Sequence, residues 1–257
     1  MSSHERQKQE QFTTVEKAHW EKNWESSITP KPLSLLNIFN RDALSLLMKK
    51  CGTKPQPTVI EIGCVPGKYL YHLEQRLSAT CHGFDYSETG CKAAVQFLRS
   101  QQSQVQIHCQ DVLMHPPDPS LRAQLVYSIG VVEHFSDPSG MIRAHLSPLD
   151  AGGIALILLP NYSGLNRTIQ ARLDPDNLKI HNLATMTHDF WERHARNFPQ
   201  YQFKTYQQGH LNPWMYSLQK LGRMGTILQY FLNFASYLIP PFINPWAGMF
   251  VIEINKR

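Results

Sequence analysis

The residues best suited to chemistry begin with Glu61, Gly63 and Gly67, in the stretch Thr-Val-Ile-Glu-Ile-Gly-Cys-Val-Pro-Gly-Lys-Tyr at 58–69. The β-branched and apolar run ahead of the glycines reads as a buried strand, and Lys68 onward as a helix. Strand, glycine turn and helix in that order set backbone N–H groups beside a helix N-terminus. That suits the anionic or polar part of a nucleotide-like ligand. The spacing is Glu-x-Gly-x-x-x-Gly, with Val65 in the middle, and not the Gly-x-Gly-x-x-Gly of a dinucleotide site. Asp85 follows 22 residues after Gly63 at the end of a second strand. A carboxylate there accepts two hydrogen bonds from ribose hydroxyls, although it would also serve to cap the next helix through Ser87. Tyr86 is placed to cover a face of an adenine. Asp111, just past a third strand, is placed to accept from an adenine amino group while the N–H of Val112 meets a ring nitrogen; its other reading is a turn toward Pro116 and Pro117.

An alternation of strands and helices is needed to hold these residues. Helical spacing of Val15, His19, Trp20 and Trp24 predicts a helix over 14–24, either docked on the main domain or closing a cleft as a lid. Pro30 and Pro32 break the chain, and 33–50 reads as a helix ended by Gly52 and Pro55. Strands are expected at 58–62, 80–86, 105–108, 123–128 and 153–159, with helices over 69–76 and 89–101. Residues 161–200 read as an insertion with helical segments, one of them at 187–197 with Thr187 as N-cap. Two further strands are expected at 201–207 and 249–255. The aromatic-rich stretch 209–248 between them contains the apolar run 227–242, which Gln229, Asn233, Pro240 and Pro241 interrupt and which is too short to span a bilayer. It reads as a cap packed on the domain, an apolar substrate pocket or a membrane-surface helix.

At 257 residues the chain can bury a sizeable core in one α/β domain. The formal charge of +5 is mild and allows an anionic ligand, a membrane surface or RNA without arguing for any of them. Five cysteines (51, 64, 81, 91 and 109) include no C-x-x-C pair and suit reduced thiols better than a disulfide framework. The first ten residues lack an apolar core for a signal peptide, so the expected location is cytoplasmic, and the sequons at Asn161 and Asn166 carry no weight. No metal is expected, because no His or carboxylate pair sits at a liganding spacing with a third group to support it.

After the fourth strand the chain reads Val132-Glu-His-Phe-Ser-Asp-Pro138, and Ala151-Gly-Gly introduces the fifth. With Glu61, Gly63 and Gly67, Asp85 and Asp111 ahead of them, these motifs resemble class I S-adenosylmethionine (SAM) methyltransferases of the small-molecule type, close to the ubiquinone and menaquinone biosynthesis enzymes. The resemblance covers roughly 56–161, and Val65 departs from it where many relatives have Gly. It implies a seven-stranded, mostly parallel Rossmann-like sheet with an antiparallel last strand and a helical substrate cap. The domain plan is N-terminal helices or a lid over 1–55, then a SAM-binding domain over 56–257 with cap insertions at about 161–200 and 208–248. It implies SAM as cofactor, held by Glu61, Gly63, Cys64, Gly67, Asp85, Tyr86, Asp111, Val112, Ser128 and Ile129. The reaction expected is in-line methyl transfer to a small, fairly apolar metabolite, most simply at oxygen. A histidine suits the proton to be taken up because it titrates near neutrality, so His134 and His181 are the catalytic candidates. Trp20, Tyr162 and Trp214 are the candidates for contact with the acceptor. The alternatives are an RNA or protein methyltransferase, or a non-catalytic SAM-binding partner docked to another enzyme or a membrane. Absence of a Lys/Arg stripe argues against nucleic acid, and a peripheral membrane contact stays open.

Overall fold

The segments 58–62, 154–159 and 249–254 are near-continuous apolar runs, as strands covered on both faces require. The computed structural model describes residues 16–27, 31–52, 54–238 and 246–256. Its strands are β1 (Thr58–Ile62), β2 (Thr80–Asp85), β3 (Gln106–Cys109), β4 (Ala123–Ile129), β5 (Leu149–Pro160), β6 (Tyr201–Gln208) and β7 (Met249–Lys256). They form one sheet in the order β3-β2-β1-β4-β5-β7-β6. The first five pair in parallel, and β7 runs antiparallel between β5 and β6. This is the mostly parallel, seven-stranded sheet with a reversed last strand that the motifs implied.

Among the described residues nine α-helices accompany it: α1 (Lys17–Ser27), α2 (Ile38–Cys51), α3 (Lys68–Leu77), α4 (Glu88–Ser100), α5 (Ser139–Leu146), α6 (Gly164–Leu173), α7 (Pro175–Lys179), α8 (His188–Ala195) and α9 (Gly222–Ser236). Alternate strand residues face opposite layers. Ile60, Ile62 and Val126 pack with α5 and the insertion, where Trp191 is fully buried. Val59, Leu125 and Tyr127 pack with Leu44 and Leu47 of α2 and with Leu70 and Leu73 of α3.

Local chemistry moves several expected boundaries. The helix expected from 33 starts at Ile38, because the Asn37 side chain accepts from the N–H of Phe39 at 3.0 Å and of Asn40 at 3.5 Å and so sets the N-terminus. Thr187 does precede α8, yet its hydroxyl donates to Ala184 O at 2.8 Å and makes no cap bond. The helix expected over 14–24 is Lys17–Ser27, with 14 and 15 outside the described residues, as are residues 239–242 of the apolar run. Asn161 and Asn166 are fully buried in hydrogen bonds, so neither sequon is accessible.

Topology then fixes where a ligand can sit. The chain lays β2 and β3 to one side of β1 and returns on its other side as β4. The carboxyl ends of β1 and β4 therefore flank a switch point, where open α/β sheets bind ligands.

Candidate active site

The turn after β1 is tied to the end of β2. The N–H groups of Gly63 and Cys64 both donate to Phe84 O, at 2.8 and 3.2 Å. Gly63 has φ +72°, and a Cβ there would lie 2.4 Å from Val131 Cγ2, so the backbone comes closer to the β4 loop than any side chain allows. Gly67 takes φ +79° at the N-cap of α3. Asp85 joins the two loops: its Oδ1 accepts from Ser87 N at 2.9 Å and its Oδ2 from Val65 N at 3.4 Å. Burial raises its carboxyl above the usual range, and these N–H donors oppose that. Register does the rest, since Asp85 pairs with Cys109 and β3 then delivers Asp111 to the same edge.

Gly63, Asp85, Tyr86, Asp111, Val112 and Ile129, from the ends of four adjacent strands, line one cavity of about 180 Å³. That lies below the roughly 300–1,000 Å³ of most small-molecule pockets, and Trp20 and Trp24 of α1 close it on one side. The α1 helix is fastened by Glu21, whose carboxylate accepts from Ser87 Oγ and from the N–H groups of Glu88 and Thr89 at 3.0–3.1 Å. An anion at the first turn of α4 is well matched to the unpaired N–H groups there. Among the described residues no Lys or Arg lines the cavity.

Other expected site residues are placed elsewhere. Glu61 is buried and accepts from Tyr127 Oη across the β1–β4 pair at 3.0 Å, and burial raises its carboxyl well above the usual range. Cys64 is also buried, with its Sγ turned against Gly83. The Ser128 hydroxyl meets His145 Nε2 at 3.0 Å inside the core. Because His145 Nδ1 donates to Met141 O at 2.7 Å, its Nε2 is the acceptor and Ser128 the donor. Trp214 packs on Tyr230 and donates to Asn233, within the C-terminal cap. Tyr162 accepts from Asn177 Nδ2 at 2.8 Å and donates to Met215 O at 3.3 Å. None of these five side chains, nor Gly67, is on the cavity wall. Conversely, Val131, Phe135 and Met141 line it without having been singled out, their apolar character giving no signal beyond core packing.

His134 ends a short 3₁₀ turn (Val132–His134) and does reach the cavity. Its Nδ1 donates to Ile180 O at 2.9 Å. Burial lowers its pKa to about 4, so the ring is neutral at pH 7. Trp20 stands edge-on to it at 5.0 Å between ring centres, and the His181 ring lies tilted against it at 4.8 Å. His181 is off the cavity wall, and its Nδ1 donates to Asn177 O. Glu133 is buried beside them, its carboxyl pushed up to about 8 by desolvation. The chain contains no recognisable metal-ligand spacing here, but the fold supplies the missing third group: one ligand atom each of Glu133, His134 and His181 lie within 4.8 Å of one another.

The family model described as a methyltransferase domain matches residues 36–226. The chain belongs to that family. Solved structures agree on the fold. Phosphoethanolamine N-methyltransferase 2 of Haemonchus contortus, in complex with SAM, aligns with a TM-score of 0.58 at 12% identity over 84% of this chain and 52% of that one. Geranyl diphosphate C-methyltransferase of Streptomyces coelicolor, with Mg²⁺, geranyl diphosphate and S-adenosylhomocysteine, aligns at 0.54 and 14% identity over 84% and 77%. A SAM-dependent methyltransferase of Geobacter sulfurreducens, with S-adenosylhomocysteine, gives 0.54 and 14% over 91% and 95%. The chain thus spans about half the length of the first of these. No curated protein matches it in sequence. The fold is that of the class I SAM-dependent methyltransferases.

Proposed function

We propose that this methyltransferase-family protein uses SAM to methylate an oxygen of a small, fairly apolar metabolite. The observation that carries the reading is the convergence of four strand ends, bearing Gly63, Asp85, Asp111 and Ile129, on the cavity that His134 also enters. SAM supplies a methyl on a sulfonium, ready for in-line attack. The residues present suit it: the Gly63 cradle would be filled by any Cβ, and Asp85 is a buried carboxylate held by backbone N–H groups. Asp85 would accept from the ribose hydroxyls, Asp111 and the Val112 N–H would take the adenine edge, and Tyr86 would cover a ring face.

The residues around the acceptor would do two things. Trp20 and Trp24 would act as a lid, withdrawing to admit ligands and excluding water once closed. Alignment of the attacking oxygen would then supply several kcal/mol of barrier reduction. With its pKa near 4, His134 is a weak proton store at neutral pH, so its role is to accept a hydrogen bond from the acceptor hydroxyl, orient it and relay its proton to water as the methyl leaves the sulfonium. His181 would support that ring from the insertion, with Tyr162 packed against His181 in turn, and the absence of Lys and Arg from the described cavity wall favours a small apolar acceptor over RNA.

A peripheral membrane contact belongs to the same reading. No helix among the described residues is long and apolar enough to cross a membrane. α9, however, turns Met224, Ile227, Phe231 and Phe234 outward and buries Gln229, Asn233 and Ser236. Such a face, on a chain of net charge +5, suits the surface of an anionic bilayer from which an apolar acceptor would be drawn. The test is incubation with SAM and a panel of apolar phenols and alcohols, read as S-adenosylhomocysteine formed. Stoichiometric methyl ether is expected with at least one acceptor class, whereas methylation confined to RNA or protein would refute the reading.

A further inference from the structure

Two imidazoles and a carboxyl group gathered in a largely buried place call for an account of what they hold. Glu133 is 1% exposed, and among the described residues its Oε2 has no hydrogen-bond partner. A buried carboxyl oxygen left in that state is costly, and an ion is one of the few things that relieve it. The two histidines are prepared for the same partner. Each spends Nδ1–H on a backbone carbonyl, His134 on Ile180 O and His181 on Asn177 O. The second nitrogen, Nε2, then bears the lone pair in both rings. That is how metal-binding histidines are commonly oriented, since a carbonyl fixes both the tautomer and the ring plane.

We propose that Glu133, His134 and His181 bind a divalent transition-metal ion at the acceptor end of the cavity. The ligand atoms lie within 4.8 Å of one another, so modest side-chain adjustment brings all three to bonding distance of one ion. Two imidazoles with one carboxylate suit Zn²⁺, Fe²⁺, Co²⁺ or Mn²⁺ better than Mg²⁺ or Ca²⁺, which favour oxygen. Three protein ligands also leave a coordination position open, the pattern of a site that binds a further molecule. His134 belongs both to this cluster and to the cavity wall, which puts the ion beside the cavity. The ion's contact with an acceptor oxygen rests on the methyl-transfer reading; the metal site itself does not. In that case His134 acts on the acceptor through the ion.

The test uses the full chain stripped with a chelator and titrated with Zn²⁺ by calorimetry, then with Co²⁺ by visible absorption. Wild type should bind one ion per chain, and the Co²⁺ spectrum should be that of a four- or five-coordinate nitrogen and oxygen site. Glu133→Gln keeps the shape of the side chain, and His181 lies in the insertion, off the cavity wall. Glu133→Gln and His181→Ala should each weaken Zn²⁺ at least tenfold while the protein stays folded by circular dichroism. Absence of stoichiometric binding, or binding that both variants retain, overturns the proposal. SAM affinity measured on the same samples separates the two readings. Loss of the metal site with SAM binding intact removes only the ion, and the reverse removes only methyl transfer.

Discussion

Asp85 carries two tasks at one carboxylate, joining the β1 and β2 loops and facing the cavity. Asp85→Ala should therefore weaken SAM by roughly 1–3 kcal/mol and also lower the melting temperature, because two backbone N–H groups lose their acceptor. Calorimetry showing unchanged affinity would remove Asp85 from the ribose role. Gly63→Ala should cost about 1–3 kcal/mol in thermal unfolding through its positive φ, with further loss from the Val131 clash. An unchanged melting temperature would mean that the turn is not held as described. His145 is buried and neutral, its pKa lowered to about 4. Below pH about 6.5 the unfolded chain takes up a proton that the folded one refuses, so this stabilisation is complete above about 6.5 and falls away toward pH 4. Denaturant midpoints measured across that range should decline with acid, and His145→Gln should decline less steeply. Asp85 was legible because its spacing from Gly63 is a property of one βαβ unit. The partners of Glu61 and Ser128 were not, since Tyr127 and His145 come from elements whose pairing the linear chain does not display.

At the scale of elements, α1 and α9 show where periodicity falls short. Two early tryptophans left docking and lid as open readings for α1; what holds the helix in this structure is Glu21 at the start of α4, a long-range pairing without a local signature. Glu21→Ala should loosen α1 and speed its cleavage by a protease, with the remaining sheet unchanged; cleavage at the wild-type rate would show that Glu21 is not the fastener. In α9 the polar residues that interrupt the apolar run prove to be its inward face. Asn233 accepts from Ile38 N at 3.0 Å and donates to Leu36 O at 2.8 Å, which leaves Phe231 64% exposed and Phe234 68%. Replacing both phenylalanines with serine should abolish sedimentation with anionic phosphatidylglycerol vesicles without loss of thermal stability. Equal sedimentation of wild type and variant would contradict the membrane reading. β1, β4 and β5 were readable because each carries an apolar run beside turn signals, while the Glu133, His134 and His181 cluster was hidden by the 46-residue separation between Ile180 O and the ring it orients.

For the whole molecule, strand order is what turns separate motifs into one site. Gly63, Asp85, Asp111 and His134 are spread over seventy-odd residues of chain, and the β3-β2-β1-β4 arrangement collects their loops at one rim. The family match and the shared fold make the chain a SAM-dependent methyltransferase by fold, and the acceptor has to be argued from the side chains at that rim. Calorimetric titration of the full chain with S-adenosylhomocysteine is the most direct check of this convergence. One molecule should bind per chain with micromolar affinity, weakened at least fivefold by Asp85→Ala. A folded wild-type chain that gives no binding heat and no protection against thermal unfolding at millimolar ligand would contradict the account.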